Sequence, residues 1–199
     1  MLACAVALIL LVDVSGSVSQ TNYELQKRGI AEAFKDPQIQ KTIEAQPGGV
    51  ALSLHEWTDS SDVVIPWVIL KTKKDSEDLA DKILDLHFSS GMTTAMGEAI
   101  VKGVDYFEST PCEPERKVID VSGDGPSNSG IEIEVARKRA LDNLVTINGM
   151  PILTPVEPMI IEYYTDKVIT PDGFILSADG YEDFTRAIKR KLILEIAKN

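Results

Sequence analysis

Basic charge, histidine, cysteine and aromatic rings are all scarce in this chain of 199 residues. Lysine and arginine total 20 against 31 aspartates and glutamates, for a net charge of −11. Such a balance excludes a phosphate-backbone partner, because nucleic-acid binding needs a basic face. The basic residues that fall close together, Arg186, Lys189, Arg190 and Lys191, recur at helical spacing and are expected on a solvated face. Only His55 and His87 offer an imidazole. His55 falls inside an apolar strand and His87 follows a helix, so both read as structural and neither as a catalytic base. Two cysteines make no disulfide framework. Cys4, at the foot of the first strand, and Cys112, between Pro111 and Pro114, are expected as one buried and one free thiol. No apolar run approaches the roughly 20 residues that span a bilayer. The apolar start, Met1–Val12, is too short for that and lacks the basic head of a signal peptide. Its second half is needed as a strand, and residues 1–6 read as what is left of a leader. A phosphate-binding G-x-x-x-x-G-K loop is absent. Val14-Ser15-Gly16-Ser17 is not a nucleophile elbow, since no glycine stands two residues before Ser15.

What the chain does have is hard oxygen at the ends of strands. The run Ala5–Val12 reads as a buried parallel strand and leads directly into Asp13-Val14-Ser15-Gly16-Ser17. One carboxylate and two hydroxyls at alternate positions suit Mg²⁺, Mn²⁺ or Ca²⁺ rather than zinc or copper. Taken alone, the segment also fits a helix N-cap, since a helical stretch follows at Asn22–Phe34. Two other segments favour the metal reading. Gly91-Met92-Thr93-Thr94-Ala95-Met96-Gly97 opens a helix, and Val118–Asp124 is an apolar strand ending in an acidic turn before Gly125.

Together these segments resemble the metal-ion-dependent adhesion site of von Willebrand factor A domains. The D-x-S-x-S element is matched by Asp13, Ser15 and Ser17, and the late aspartate before glycine by Asp124. The threonine has two registers. Counting forward from Gly91 gives Thr93, while counting back from Gly97 gives Thr94. The helix start fixes the register more firmly, so Thr94 is expected. Tyr23–Lys27, Glu56-Trp57, Asn128, Ile147–Ile152 and Ala187–Leu192 extend the resemblance over nearly the whole chain, to an uncharacterised bacterial branch of the class. The resemblance implies one domain over residues 1–199 and a place outside the cytoplasm. It also implies a divalent cation, Mg²⁺ first and Mn²⁺ or Ca²⁺ as alternatives. The implied partner is a protein presenting an exposed Asp or Glu.

The element pattern agrees with an α/β fold: a doubly wound, mostly parallel sheet with helices on both faces. Strands are expected at Ala7–Val12, Val50–Trp57, Val63–Leu70, Arg116–Val121 and Val145–Asn148. The second and third form an antiparallel edge hairpin around Thr58–Asp62. Helices are expected at Asn22–Phe34, Asp75–Leu86 (capped by Asp75 or Ser76), Gly97–Phe107, Ile131–Leu144 and Tyr181–Ala197. Four prolines break up Pro151–Ala178, where Ile160–Tyr164 reads as a short helix or strand and Phe174–Leu176 as a short edge strand. Asp120 is expected to pair with Lys117 or Arg116. Trp57 and Trp67 read as core or interface residues.

Five donors, three of them neutral hydroxyls, leave an octahedral shell incomplete. The leading expectation is therefore a non-enzymatic binding module that captures an acidic residue through the cation. One rival is a metal-assisted hydrolase with Asp120 or Glu98 as base. The other is a metal site of purely structural use.

Overall fold

The structure, a computed structural model, describes residues 2–197; Met1, Lys198 and Asn199 of the expected domain lie outside the described residues. In chain order the strands are β1 (Leu2–Asp13), β2 (Val50–Trp57), β3 (Ser61–Leu70), β4 (Cys112–Gly123) and β5 (Val145–Pro151). The α-helices are α1 (Gln20–Lys35), α2 (Pro37–Glu44), α3 (Lys73–Leu84), α4 (Met96–Tyr106), α5 (Ile133–Asp142), α6 (Ile160–Tyr163) and α7 (Phe184–Ala197). The strands form one sheet in the order β3-β2-β1-β4-β5. All neighbours are parallel except β2 and β3, the expected edge hairpin. Residues 2–6 belong to β1, where Leu2 stands opposite Cys112 and Val6 opposite Arg116.

The side-chain alternation of β1 divides the core. Val6, Leu8, Leu10 and Val12 pack with Ile30 and Phe34 of α1, Ile39 and Ile43 of α2, Leu79 and Ile83 of α3, and Ile188 and Leu192 of α7. Ala7, Ile9 and Leu11 pack on the other face with Ile100 of α4, Ala136 of α5 and the π-helical turn Tyr164–Val168 that continues α6. Burial on both faces explains why β1 reads as an unbroken apolar run.

Helix starts follow local chemistry. Ser19 caps α1 by accepting from the Asn22 amide. Asp36 caps α2 by accepting from the Gln38 amide, and Pro37 opens the helix without losing a hydrogen bond. That short helix was not expected, because only Ile39 and Ile43 mark its buried side. The cap of α3 is Thr72 rather than Asp75 or Ser76. Asp75 is the third helical residue and completes a capping box with Thr72. Ile160–Tyr164 is helical. Phe174–Leu176 is not a full strand; beside β5 there are isolated bridges, Gly149 with Ile175 and Ile152 with Ala178. Among the described residues no helix is long and apolar enough to cross a membrane.

Three expectations fail for one reason: a deciding partner sits far away in sequence. Cys4 and Cys112 form a disulfide with Cα atoms 5.9 Å apart. The parallel pairing of β1 with β4 brings the feet of both strands together, so neither thiol is free. Lys191 is not on a solvated face. It is fully buried, with Nζ 2.8 Å from Asp120 Oδ1 and 2.6 Å from Glu195 Oε1. Asp120 therefore pairs with Lys191 rather than with Lys117 or Arg116. Asn148 donates to the same Glu195 oxygen at 2.9 Å. Arg116 is used elsewhere, donating to the carbonyls of Glu195 and Ile196 at the end of α7.

The disulfide joins residues 108 apart. Cross-linking so long a loop restricts the unfolded chain, and Cys112→Ser is expected to lower stability by about 2–5 kcal/mol in urea denaturation. The buried ion cluster gives a second expectation. Lys191→Met leaves two buried carboxylates facing each other and should cost about 3–5 kcal/mol at pH 8. Burial, and then the Glu195 charge, push Asp120 from 3.8 up to about 7. Its folded value lies above its unfolded one, so the native state binds the extra proton as pH falls. Lys191 pulls against both burial and the Glu195 charge, so in the variant the Asp120 carboxyl is raised further, and the penalty is relieved as pH falls through that raised value. Urea titrations of Lys191→Met at pH 8 and pH 5 should show the smaller loss, relative to wild type, at pH 5.

Candidate metal centre

The strand order places an opening beside β1. The chain leaves β1 towards β2 on one side, while β4 arrives on the other. Open α/β sheets bind ligands at such switch points, outside the carboxyl ends of the strands. Val12 stands opposite Ser122, so Asp13 at the end of β1 meets the turn Gly123-Asp124 at the end of β4.

Four of the expected residues are linked by a chain of hydrogen bonds. The Ser15 amide donates to Asp13 Oδ1 at 2.8 Å, which folds the loop back on its own strand. Ser15 Oγ lies 3.3 Å from Ser17 Oγ, and Ser17 Oγ donates to Asp124 Oδ1 at 2.6 Å. Asp124 Oδ2 accepts from the Tyr181 hydroxyl at 3.0 Å. Gln26 of α1 donates to the Asp13 carbonyl at 3.1 Å. Gly123 makes room for this arrangement. A Cβ there would stand 2.8 Å from Asp13 Oδ2 and 3.1 Å from both the Trp57 ring and the Tyr164 hydroxyl.

The fifth residue comes from the loop before α4. Thr94 is buried, its amide donating to Asn128 Oδ1 and its carbonyl accepting from the Asn128 amide, both at 2.9 Å. Asn128 Nδ2 lies 3.4 Å from Thr94 Oγ1, and Ser127 Oγ donates to the Thr94 carbonyl at 3.1 Å. Thr93 faces elsewhere: its hydroxyl donates to Asp59 at 2.6 Å and accepts from Ser129 at 2.8 Å. Gly97 lets the two loops meet, since a Cβ there would stand 2.0 Å from the Ile131 carbonyl oxygen.

Ser17, Thr94 and Asp124 line one open cavity of about 510 Å³. Asp13 and Ser15 are fully buried behind Ser17. Asp13 Oδ2 is buried without any hydrogen-bond partner. Among the described residues no ion pair reaches Asp13 or Asp124. Burial pushes Asp13 up to about 7; the Ser15 hydrogen bonds pull it down, and the Asp124 charge raises it further. Two carboxylates without a basic neighbour, one with an orphaned oxygen, are what a bound divalent cation would compensate. The donors present fit a hard cation: three hydroxyls and two carboxylates. Among the described residues no group of three or more His, Cys, Asp and Glu side chains gathers to hold a metal, so hydroxyls would have to supply much of the shell.

Sequence reading missed the supports. The sequence offers Asn128 only as part of the wider resemblance and Tyr181 only as the start of a helix. Both touch the site only because the chain returns to it. The expected hydrolase bases lie elsewhere. Asp120 is in the Lys191 cluster, and Glu98 stands 3.8 Å from Lys102. Neither lines the cavity. His55 is buried against Ser53 and Tyr106, and burial lowers it to about 4, so it stays neutral at physiological pH.

The clamp on Thr94 sets an expectation for cation affinity. Thr94→Ala and Asn128→Ala should both weaken Mg²⁺ binding by calorimetry, Asn128→Ala by about tenfold through the lost hydrogen bonds. Thr93→Ala should leave it nearly unchanged. A larger loss at Thr93 would show that the loop register is wrong.

Comparison with solved structures finds the same fold at low identity. The proximal thread matrix protein of the mussel byssus, in a form with a zinc-occupied MIDAS motif, matches with a TM-score of 0.71 at 18% identity over 98% of this chain and 48% of its own. A von Willebrand factor type A protein from Catenulispora acidiphila matches with a TM-score of 0.66 at 16% identity, over 98% of this chain and 43% of its own. Manganese-loaded TRAP from Plasmodium vivax matches with a TM-score of 0.63 at 16% identity, over 97% of this chain and 73% of its own. The chain thus spans about half the length of the byssus protein. A comparison with curated protein sequences finds no match. Residues 3–199 match the model of the family described as "Protein of unknown function (DUF1194)". The chain belongs to that family and has a von Willebrand factor A-type fold.

Proposed function

We propose that this domain is a non-enzymatic binding module that holds one divalent cation through Asp13, Ser15, Ser17, Thr94 and Asp124. The observation that carries the reading is the buried, unpartnered Asp13 Oδ2 behind an open cavity lined by Ser17, Thr94 and Asp124. Mg²⁺ is the first choice of cation, with Mn²⁺ or Ca²⁺ as alternatives, because all five side chains offer hard oxygen. Zinc in the MIDAS motif of the byssus protein, and manganese in TRAP on the same fold, support a bound divalent cation.

When bound, the cation offers an open coordination position to an anionic oxygen. Ser17, Thr94 and Asp124, which line the cavity, would leave that position open to it. The residues around it then select the partner. A chain of net charge −11 repels acidic proteins at long range, so attraction has to be local. The proposed partner is a protein presenting one exposed Asp or Glu. A carboxylate held in so partly desolvated a place acts as a hot spot. Asp120 and Glu98, the two bases that the hydrolase reading named, do not line the cavity. The disulfide supports an extracytoplasmic, oxidising location.

Calorimetric titration with Mg²⁺ and Mn²⁺ tests the site. Asp13→Ala should lose affinity beyond the roughly 10- to 100-fold typical of groups that only support ligands. Circular dichroism should show the fold intact. Equal binding in the variant would remove the assigned site. A partner search run with Mg²⁺ and with chelator tests the function. A partner whose affinity survives both chelation and Asp13→Ala would make the site structural.

A further inference from the structure

One acidic residue in the cavity is not explained by the five proposed ligands. Glu157 lines the same cavity as Ser17, Thr94 and Asp124. It is half-buried, on the loop that follows β5, between Pro155 and Pro158. That loop is tied down on both sides. Ile152 donates to the Gly123 carbonyl at 2.9 Å, and the Ile160 amide donates to the Glu157 carbonyl at 3.2 Å. The Glu157 carboxylate has no hydrogen bond or ion pair among the described residues. No lysine or arginine lines the cavity, whose other acidic side chain is Asp124. Two carboxylates, Glu157 and Asp124, thus line one cavity with no basic side chain among its lining residues, and a cation held there would attract both.

We propose that Glu157 is the domain's own occupant of the open coordination position, directly or through one water, and that a partner's carboxylate has to displace it. The inference rests on the cation site proposed above. Its chemistry is that of the expected partner: a single carboxylate oxygen offered to a cation held by hydroxyls. The two prolines limit the loop's freedom and keep that carboxylate near the site, so its effective concentration is high. Glu157 would then set a threshold. A lone acidic side chain on a partner competes with it, and added contacts around the cavity decide the outcome. Met92 and Val156, 89% and 81% exposed, stand on the cavity wall for such contacts.

The probe is Mn²⁺, read by calorimetry and by water-proton relaxation, which counts exchangeable water on the bound ion. Glu157→Gln is expected to bind Mn²⁺ about three- to tenfold more weakly than wild type. It should also carry about one more exchangeable water. Glu157→Lys should weaken binding further. Glu162→Gln, on an exposed face of α6, should match wild type. If wild type binds Mn²⁺ and Glu157→Gln equals it in affinity and hydration, Glu157 is no occupant and the inference is overturned while the site stands. If wild type binds no Mn²⁺, the site itself falls and the inference with it.

Discussion

Two carboxylates brought together at the ends of neighbouring parallel strands, with no basic side chain against them, are the constraint around which this domain is arranged. Asp13 and Asp124 sit where β1 and β4 run out, and both are buried. Asp124 is satisfied by Ser17 and Tyr181, whereas one oxygen of Asp13 is left without a partner. Such a pair is costly in a closed core. It is tolerable at an opening where a cation can enter, and the sheet order supplies that opening between β1 and β4. Much of the surrounding detail follows. Gly123 has no side chain because the Asp13 carboxylate needs the space. Gln26, Asn128 and Tyr181 converge from three other segments to fix the backbone and hydroxyl positions.

The same fold solves the problem of a buried acid in the opposite way a few residues along β4. Asp120 faces α7, where Lys191 supplies the counter-charge and Asn148 and Glu195 complete the network. That cluster is closed to solvent, with one lysine shared by two carboxylates and Glu195 Oε2 left without a hydrogen-bond partner, and it ties the last helix to the central strands. Replacing such clusters with apolar residues is often neutral for stability, whereas removing one member is not. Through Lys191 and Asp120 the cluster joins α7 to β4. β4 and the turn that follows it therefore carry two aspartates, Asp120 and Asp124, with different fates, decided by whether a lysine or an open cavity faces them.

Charge and covalent structure bear on the setting in which the module would act. Its acidic surface leaves little long-range attraction for another acidic protein, so specificity would be concentrated at the cation and the cavity wall. The disulfide between the feet of β1 and β4 secures the strands that carry Asp13 and Asp124. It lies at the opposite ends of those strands from the site, so it stabilises the platform without touching the ligands.

The alternation of apolar runs and amphipathic segments was enough to read the α/β class, the edge hairpin and most helices, because those features depend on periodicity within short windows. Asp13, Ser15 and Ser17 were legible for the same reason: they are close in sequence and follow an unmistakable strand. Asp124 and Thr94 could be named from resemblance. The contacts that separate Thr94 from Thr93, through Asn128 and Asp59, exist only when distant loops meet. The Cys4–Cys112 disulfide and the burial of Lys191 were misread because each depends on a partner far along the chain. Composition and spacing thus determined the elements and the oxygen-rich loop. Only the tertiary structure decided which cysteines, lysines and acids would face one another, since strand pairing and helix docking join residues whose distance in sequence carries no local signal.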